Sequence, residues 1–192
     1  MPENITQIPA ARVAIAEAPT PYPTRSWFRF FYNLFAILGS GSLRNGAFHD
    51  ETTQTAAAIN TGYAMTFSNT DYSQGVYLGT PTSRVYVDRH GLYNIQFSAQ
   101  FVSTNAASKN VYIWADINGT AVPQSATKIT LSGTSEAYLA AWNFFLSMDT
   151  GDYFRLMWAT DNTNVTLQAL PASAFAPAIP SVILTVASNI GE

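Results

Sequence analysis

A chain of 192 residues and 20.9 kDa is long enough to bury a core, and fits one domain with a tail or a small accessory element. Only 11% of the residues are charged while 47% are hydrophobic, so the surface is short of charge and is expected to be partly hidden in an assembly. A net charge of −3, a pI near 5.3 and the lack of any basic stripe exclude nucleic acid as a partner, and the absence of cysteine excludes disulfides and thiolate metal sites.

The first residues, Met-Pro-Glu-Asn, carry neither the basic nor the apolar region of a secretory signal, which reads as a protein made and assembled in a cytoplasm. Residues 1–23 contain Pro2, Pro9, Pro19, Pro21 and Pro23 and are expected to form an extended arm, because proline fixes φ and donates no hydrogen bond. Residues 24–39 then place Trp27, Phe31, Leu34, Phe35 and Leu38 at helical spacing, with Thr24 or Ser26 able to cap the start and Gly39 the end. The apolar run is too short to span a bilayer, and Arg25, Arg29 and Asn33 interrupt it. Phe28, Phe30 and Ile37 widen its apolar surface beyond one contact face, which fits either insertion into a partner's groove or packing on its own domain. Its candidate docking residues are Arg25, Trp27, Phe28, Arg29, Phe31, Leu34 and Phe35, the apolar ones as anchors and the two arginines for polar groups at a groove rim.

Residues 40–61 are small and aperiodic and read as a linker, with His49, Asp50 and Glu51 in a solvated loop. From residue 62 to 192 the pattern becomes that of a β domain. Its organising stretch is residues 91–103, where Tyr93, Ile95, Phe97, Ala99 and Phe101 alternate with Asn94, Gln96, Ser98 and Gln100, and where Gly91 is expected at positive φ in an entry turn. Further strands are expected at about 63–68, 75–79, 83–88, 109–118, 137–148, 152–160, 164–170 and 180–188. Asn118-Gly119, Asp149-Thr-Gly-Asp152 and Asp161-Asn-Thr-Asn164 supply turns between them. Short strands so punctuated indicate an antiparallel sandwich or jelly roll. Residues 142–146 and 153–158 are apolar on both faces, so a second cover is needed, either the helix or neighbouring subunits.

Material for catalysis is scarce. Two histidines, His49 and His90, cannot build a multi-histidine metal centre, and Asp149 with Asp152 is explained by the turn that they flank. No glycine loop is followed by the Lys-Ser or Lys-Thr pair of a phosphate cradle. No enzyme activity, catalytic residue, metal or cofactor is expected.

Gly91-Leu-Tyr-Asn-Ile-Gln-Phe-Ser resembles the glycine-x-tyrosine strand of the C1q and tumour necrosis factor (TNF) superfamily of trimeric jelly rolls. Leu146-Ser-Met-Asp-Thr-Gly-Asp-Tyr-Phe-Arg-Leu resembles that superfamily's hairpin with a Gly-Asp turn, and Pro180-Ser-Val-Ile-Leu-Thr-Val its closing strand. The N-terminal Trp27-Phe-Arg-Phe-Phe31 is similar to the Trp-x-Arg-Phe-Phe segments near the start of small bacteriophage virion proteins. Together the resemblances imply a mainly β protein, a TNF/C1q-like jelly roll preceded by an extended arm and one short α-helix. They also imply a homotrimer, anchored to the tail or capsid proteins of a virion after synthesis in the host cytoplasm. The alternative is a host-surface receptor- or carbohydrate-binding module, whose aromatic residues stack on sugars at loop tips.

Overall fold

Alternation of apolar and polar side chains governs residues 43–188, and it yields, in chain order, β1 (Asn45–Asp50), β2 (Gln54–Thr55), β3 (Tyr63–Ala64), β4 (Asn69–Gln74), β5 (Val76–Leu78), β6 (Val85–Val87), β7 (Gly91–Ser103), β8 (Lys109–Ile117), β9 (Thr120–Ala121), β10 (Thr127–Leu131), β11 (Ala137–Met148), β12 (Tyr153–Thr160), β13 (Val165–Leu167) and β14 (Val182–Ser188). The computed structural model describes residues 8–10, 12–16, 22–40 and 43–188. The chain divides into two compact units, Met1–Ser42 and Leu43–Glu192.

The strands build two seven-stranded antiparallel sheets. In the first, β7 is the hub. Strand β11 pairs with it from Ala137↔Val102 to Met148↔Gly91, which occupies one whole edge. The other edge takes β14 along Tyr93 to Ala99 and then β13 along Phe101 to Ser103. Strand β1 joins β14, β4 joins β1, and β2 joins β13. The second sheet runs β10-β8-β12-β6-β5, with β3 on β12 and β9 on β8. Neighbours far apart in sequence, such as β7 with β14 and β8 with β12, give the crossing pattern of a jelly roll.

Between the sheets lies one core. Tyr93, Ile95, Phe97, Ala99 and Phe101 of β7 face Val111, Ile113 and Ala115 of β8 and Phe154, Leu156 and Trp158 of β12. The Phe101 and Trp158 rings, with centroids 5.7 Å apart, bridge the layers. Within the first sheet Phe97 meets Trp142 edge-on at 4.7 Å and stacks on Phe144 at 5.9 Å. A fully buried ring such as Phe101 contributes about 1.5–3 kcal/mol through lost water contact.

Several expectations change. Gly91 lies outside the left-handed region, being the first residue of β7 and buried opposite Met148. Left-handed residues occur elsewhere, among them Asn118 and Gly119, at φ 52 and 86, whose two-residue turn joins β8 to β9, and Gly151, at φ 87, in the turn between Asp149 and Asp152. The stretch 40–61, expected to be a linker, contains β1 and β2, so the β unit begins near residue 43 rather than 62. The strand expected at 63–68 pairs over Tyr63–Ala64 alone, while Met65 and Phe67 enter the core beyond it. Strands β4, β9 and β10 lie outside every expected range.

In the first unit the helix α1 spans Arg25–Ser40, one residue past the expected stop. Thr24 does not cap it through its hydroxyl, which donates to the Ala14 carbonyl at 2.8 Å. The arm is not simply extended. Val13 N donates to Ala10 O in a turn, Ala16 and Pro23 form an antiparallel bridge, and Thr24 N donates to Ile15 O. The indole of Trp27 explains the return: its N–H needs an acceptor and finds Val13 O at 3.0 Å.

Candidate functional site

Of the residues expected to dock, α1 leaves Arg25, Phe28, Arg29, Phe31 and Leu34 exposed, and holds Trp27 half-buried. The side chain of Phe35 lies outside the described residues. Helical spacing brings the rings together: Trp27 stacks on Phe31 at 5.5 Å and meets Phe30 edge-on at 5.7 Å, while Phe28 lies over Tyr32 at 6.3 Å. The helix therefore carries a preformed ring cluster, with Arg25 and Arg29 exposed along the same helix.

The second surface is the outward face of the first sheet. Strand register sets it out as rows across β11, β7, β14 and β1: Ala141–Ser98–Ile183–His49, then Asn143–Gln96–Thr185–Ala47, then Phe145–Asn94–Ala187–Asn45. Leu139 lies beside Gln100 in the row before. Leu139, Phe145 and Ile183 are exposed, and Asn143 Nδ2 donates to Asn94 Oδ1 at 3.2 Å. No Asp, Glu, Lys or Arg occurs anywhere in β7, β11 or β14.

Charge appears at the margins of this face. His49, expected in a solvated loop, is in β1, where its Nδ1 lies 2.9 Å from Asp71 Oδ2 and its Nε2 3.6 Å from Glu51 Oε1. His90 Nδ1 meets Asp149 Oδ1 at 2.7 Å in an exposed turn pair. Asp152 is engaged by its own turn, accepting from Asp149 N at 2.8 Å and from Asn118 Nδ2 at 2.7 Å. Tyr93 donates to the Arg89 carbonyl at 2.8 Å, and burial first, then the Asp88 carboxylate, raise its pKa above the usual phenol value.

The outward face of the second sheet is different again, and sequence reasoning missed it. Tyr77 of β5 is opposite Tyr86 of β6, and Tyr86 is opposite Tyr153 of β12. Two places along β12, Arg155 pairs with Asp116 of β8, its Nε 2.9 Å from Oδ1 and 3.1 Å from Oδ2. That hydrogen bonding raises the Arg155 pKa above its ordinary value. These residues lie on strands of three to nine residues, separated by up to 76 positions between Tyr77 and Tyr153, so only the topology brings them together.

Comparison with solved structures addresses the fold. Murine APRIL superposes with a TM-score of 0.50 over 77% of this chain and 100% of that one, at 10% identity. Eiger TNF from S. frugiperda gives a TM-score of 0.51 over 78% of this chain and 94% of that one, also at 10% identity. The fold is the TNF-type jelly roll. No protein-family model and no curated protein matches the sequence. At 10% identity the likeness carries the architecture and leaves partners and activity to be argued from this chain's own surfaces.

Proposed function

We propose that the protein is a non-enzymatic structural component of a bacteriophage virion, a homotrimeric jelly-roll appendage held to tail or capsid proteins through its N-terminal segment. The observation that carries the assembly is the uncharged outward face of β7, β11 and β14, with Leu139, Phe145 and Ile183 exposed on it. Apolar groups gain by leaving water, and amides and hydroxyls lose far less than charges do, so such a face suits permanent cover by further copies of the chain. The virion role is supported by the Trp27-to-Phe31 segment and by its exposed ring cluster beside Arg25 and Arg29. Trp27, Phe28, Phe31, Leu34 and Phe35 would anchor the helix in a partner's groove. A host-surface glycan is the alternative partner, favoured by the row Tyr77, Tyr86 and Tyr153.

Light scattering on the full chain at micromolar concentration tests the assembly, with three times the 20.9 kDa subunit mass expected. Phe145→Asp should yield a folded monomer, because Phe145 is 54% exposed in one subunit and the charge meets an obstacle only on assembly. There an unpaired buried carboxylate costs about 3–5 kcal/mol. A monomeric unaltered chain would overturn the trimer, and absence of the protein from purified particles of its phage would overturn the virion role.

A further inference from the structure

Tyr77, Tyr86 and Tyr153 stand side by side on the outward face of the second sheet, where they take no part in the core. Their centroids are 5.6 Å apart at 11° for the first pair and 5.3 Å apart at 52° for the second. The sequence leaves room for them. A Cβ at Gly79 would overlap the Tyr86 ring, and a Cβ at Gly119 would fall 3.6 Å from Tyr153 Oη and 3.8 Å from Arg155 Nη2, so Gly119 puts no side chain over that end.

Two guanidiniums flank Tyr153, with Arg84 Cζ 4.8 Å and Arg155 Cζ 5.9 Å from the ring centroid. They are not equivalent. Arg155 has its counter-charge in Asp116, whereas Arg84 forms no ion pair among the described residues and its Nε is buried without a hydrogen-bond partner. A cation held against the Tyr153 face and lacking a carboxylate of its own leaves positive charge at one end of a row whose other end, Tyr77, is 44% exposed.

We propose that this face binds a saccharide carrying a carboxylate. The C–H face of the sugar ring lies against the electron-rich faces of the tyrosines, and the carboxylate meets the Arg84 fork, whose planar donors match its two oxygens. A neutral sugar would use the rings and leave Arg84 without a counter-charge. A nucleic acid would need several clustered cations, and of the two guanidiniums beside these rings only Arg84 has no ion pair among the described residues. The proposal deepens the glycan-binding alternative and rests on it, and it is independent of the virion role and of the trimer.

The test is calorimetric titration of the full chain with a galacturonic acid trisaccharide and, in parallel, with its neutral galactose counterpart. The acidic sugar should bind and the neutral one bind more weakly by about tenfold or more, with the difference shrinking as salt rises. Arg84→Ala should remove that discrimination, Arg84→Lys should keep part of it, and Tyr77→Ala should weaken both sugars. Tyr77 is at the surface, so this variant reads the site even if Arg84→Ala perturbs folding. Equal binding of the two sugars overturns the acidic class and spares the glycan reading. No binding of either overturns both. Binding that none of these variants changes places the sugar elsewhere and overturns the site, as does a loss of assembly in Tyr77→Ala, which would make the face a subunit contact.

Discussion

The two sheets obey the same alternation inward and diverge outward. The first turns towards solvent a central column of Asn94, Gln96, Ser98 and Gln100, with Leu139, Phe145 and Ile183 on the strands to either side. The second shows tyrosines, Lys128, and the Arg155–Asp116 pair, with Arg84 at its margin. The difference matters because desolvating an ion is far more costly than desolvating an amide. A face built from amides and apolar groups can be covered permanently. One that holds charges suits water, or a ligand that supplies the opposite charge.

The strongest way to break this comparison is to strip one charge from the second face. The Asp116 carboxylate side chain is only 4% exposed, so Arg155→Met leaves it buried without its guanidinium, and stability should fall by about 3–5 kcal/mol in chemical denaturation. Adding Asp116→Leu to that variant should restore most of the loss, since a matched apolar pair avoids the orphaned charge. If Arg155→Met costs nothing, the pair is solvated in effect and the contrast between the faces collapses.

A smaller effect is expected at the inner edge of the first sheet. Tyr93→Phe removes the hydrogen bond to the Arg89 carbonyl and should cost about 1 kcal/mol near neutral pH. The pH dependence has a definite sign. Because the folded pKa of Tyr93 is raised above 10.0, the stability it confers is complete below that value and declines as pH rises through the folded pKa. The gap between Tyr93→Phe and the parent should therefore narrow above pH 10, as read by denaturation midpoints. A gap that widens there would mean that the phenolate is favoured in the folded chain.

Period-two patterning makes β7 legible end to end, because it buries every second side chain over thirteen residues, and β11 from Ala140 onward, where Ala140, Leu146 and Met148 are buried and Trp142 and Phe144 half-buried. It fails for β1. The inward positions there are Gly46, Phe48 and Asp50, one without a side chain and one charged, so only Phe48 carries an apolar signal. Asp50 is tolerated inside because Thr52 N and the Thr52 and Thr66 hydroxyls donate to its carboxylate. Likewise Thr127-Lys-Ile-Thr-Leu131 buries two side chains, too few for a pattern. The helix and its rings were readable from spacing alone. The tyrosine row was not, since each member sits on a different strand and nothing local couples them.

The smallest expected effect sharpens the comparison by asking what covers the uncharged face. If further copies of the chain cover it, removal of residues 1–42 should leave the thermal transition of the β unit within about 0.5 kcal/mol of the full chain, the range of surface changes, and leave its light-scattering mass a multiple of the same number of subunits. The cut falls at residue 42 because β1 pairs with β14 from Asn45 onward, and a cut at residue 61 would remove two strands of the sheet, β1 and β2. The truncated protein should meanwhile lose incorporation into particles, because Trp27, Phe28, Phe31 and Leu34 go with it. A truncated chain that melts several degrees lower would assign the helix to the core of the β unit. One that still incorporates normally would move the docking surface onto the jelly roll. Only unchanged stability together with lost incorporation keeps α1 as the anchor and reserves the uncharged face for self-association.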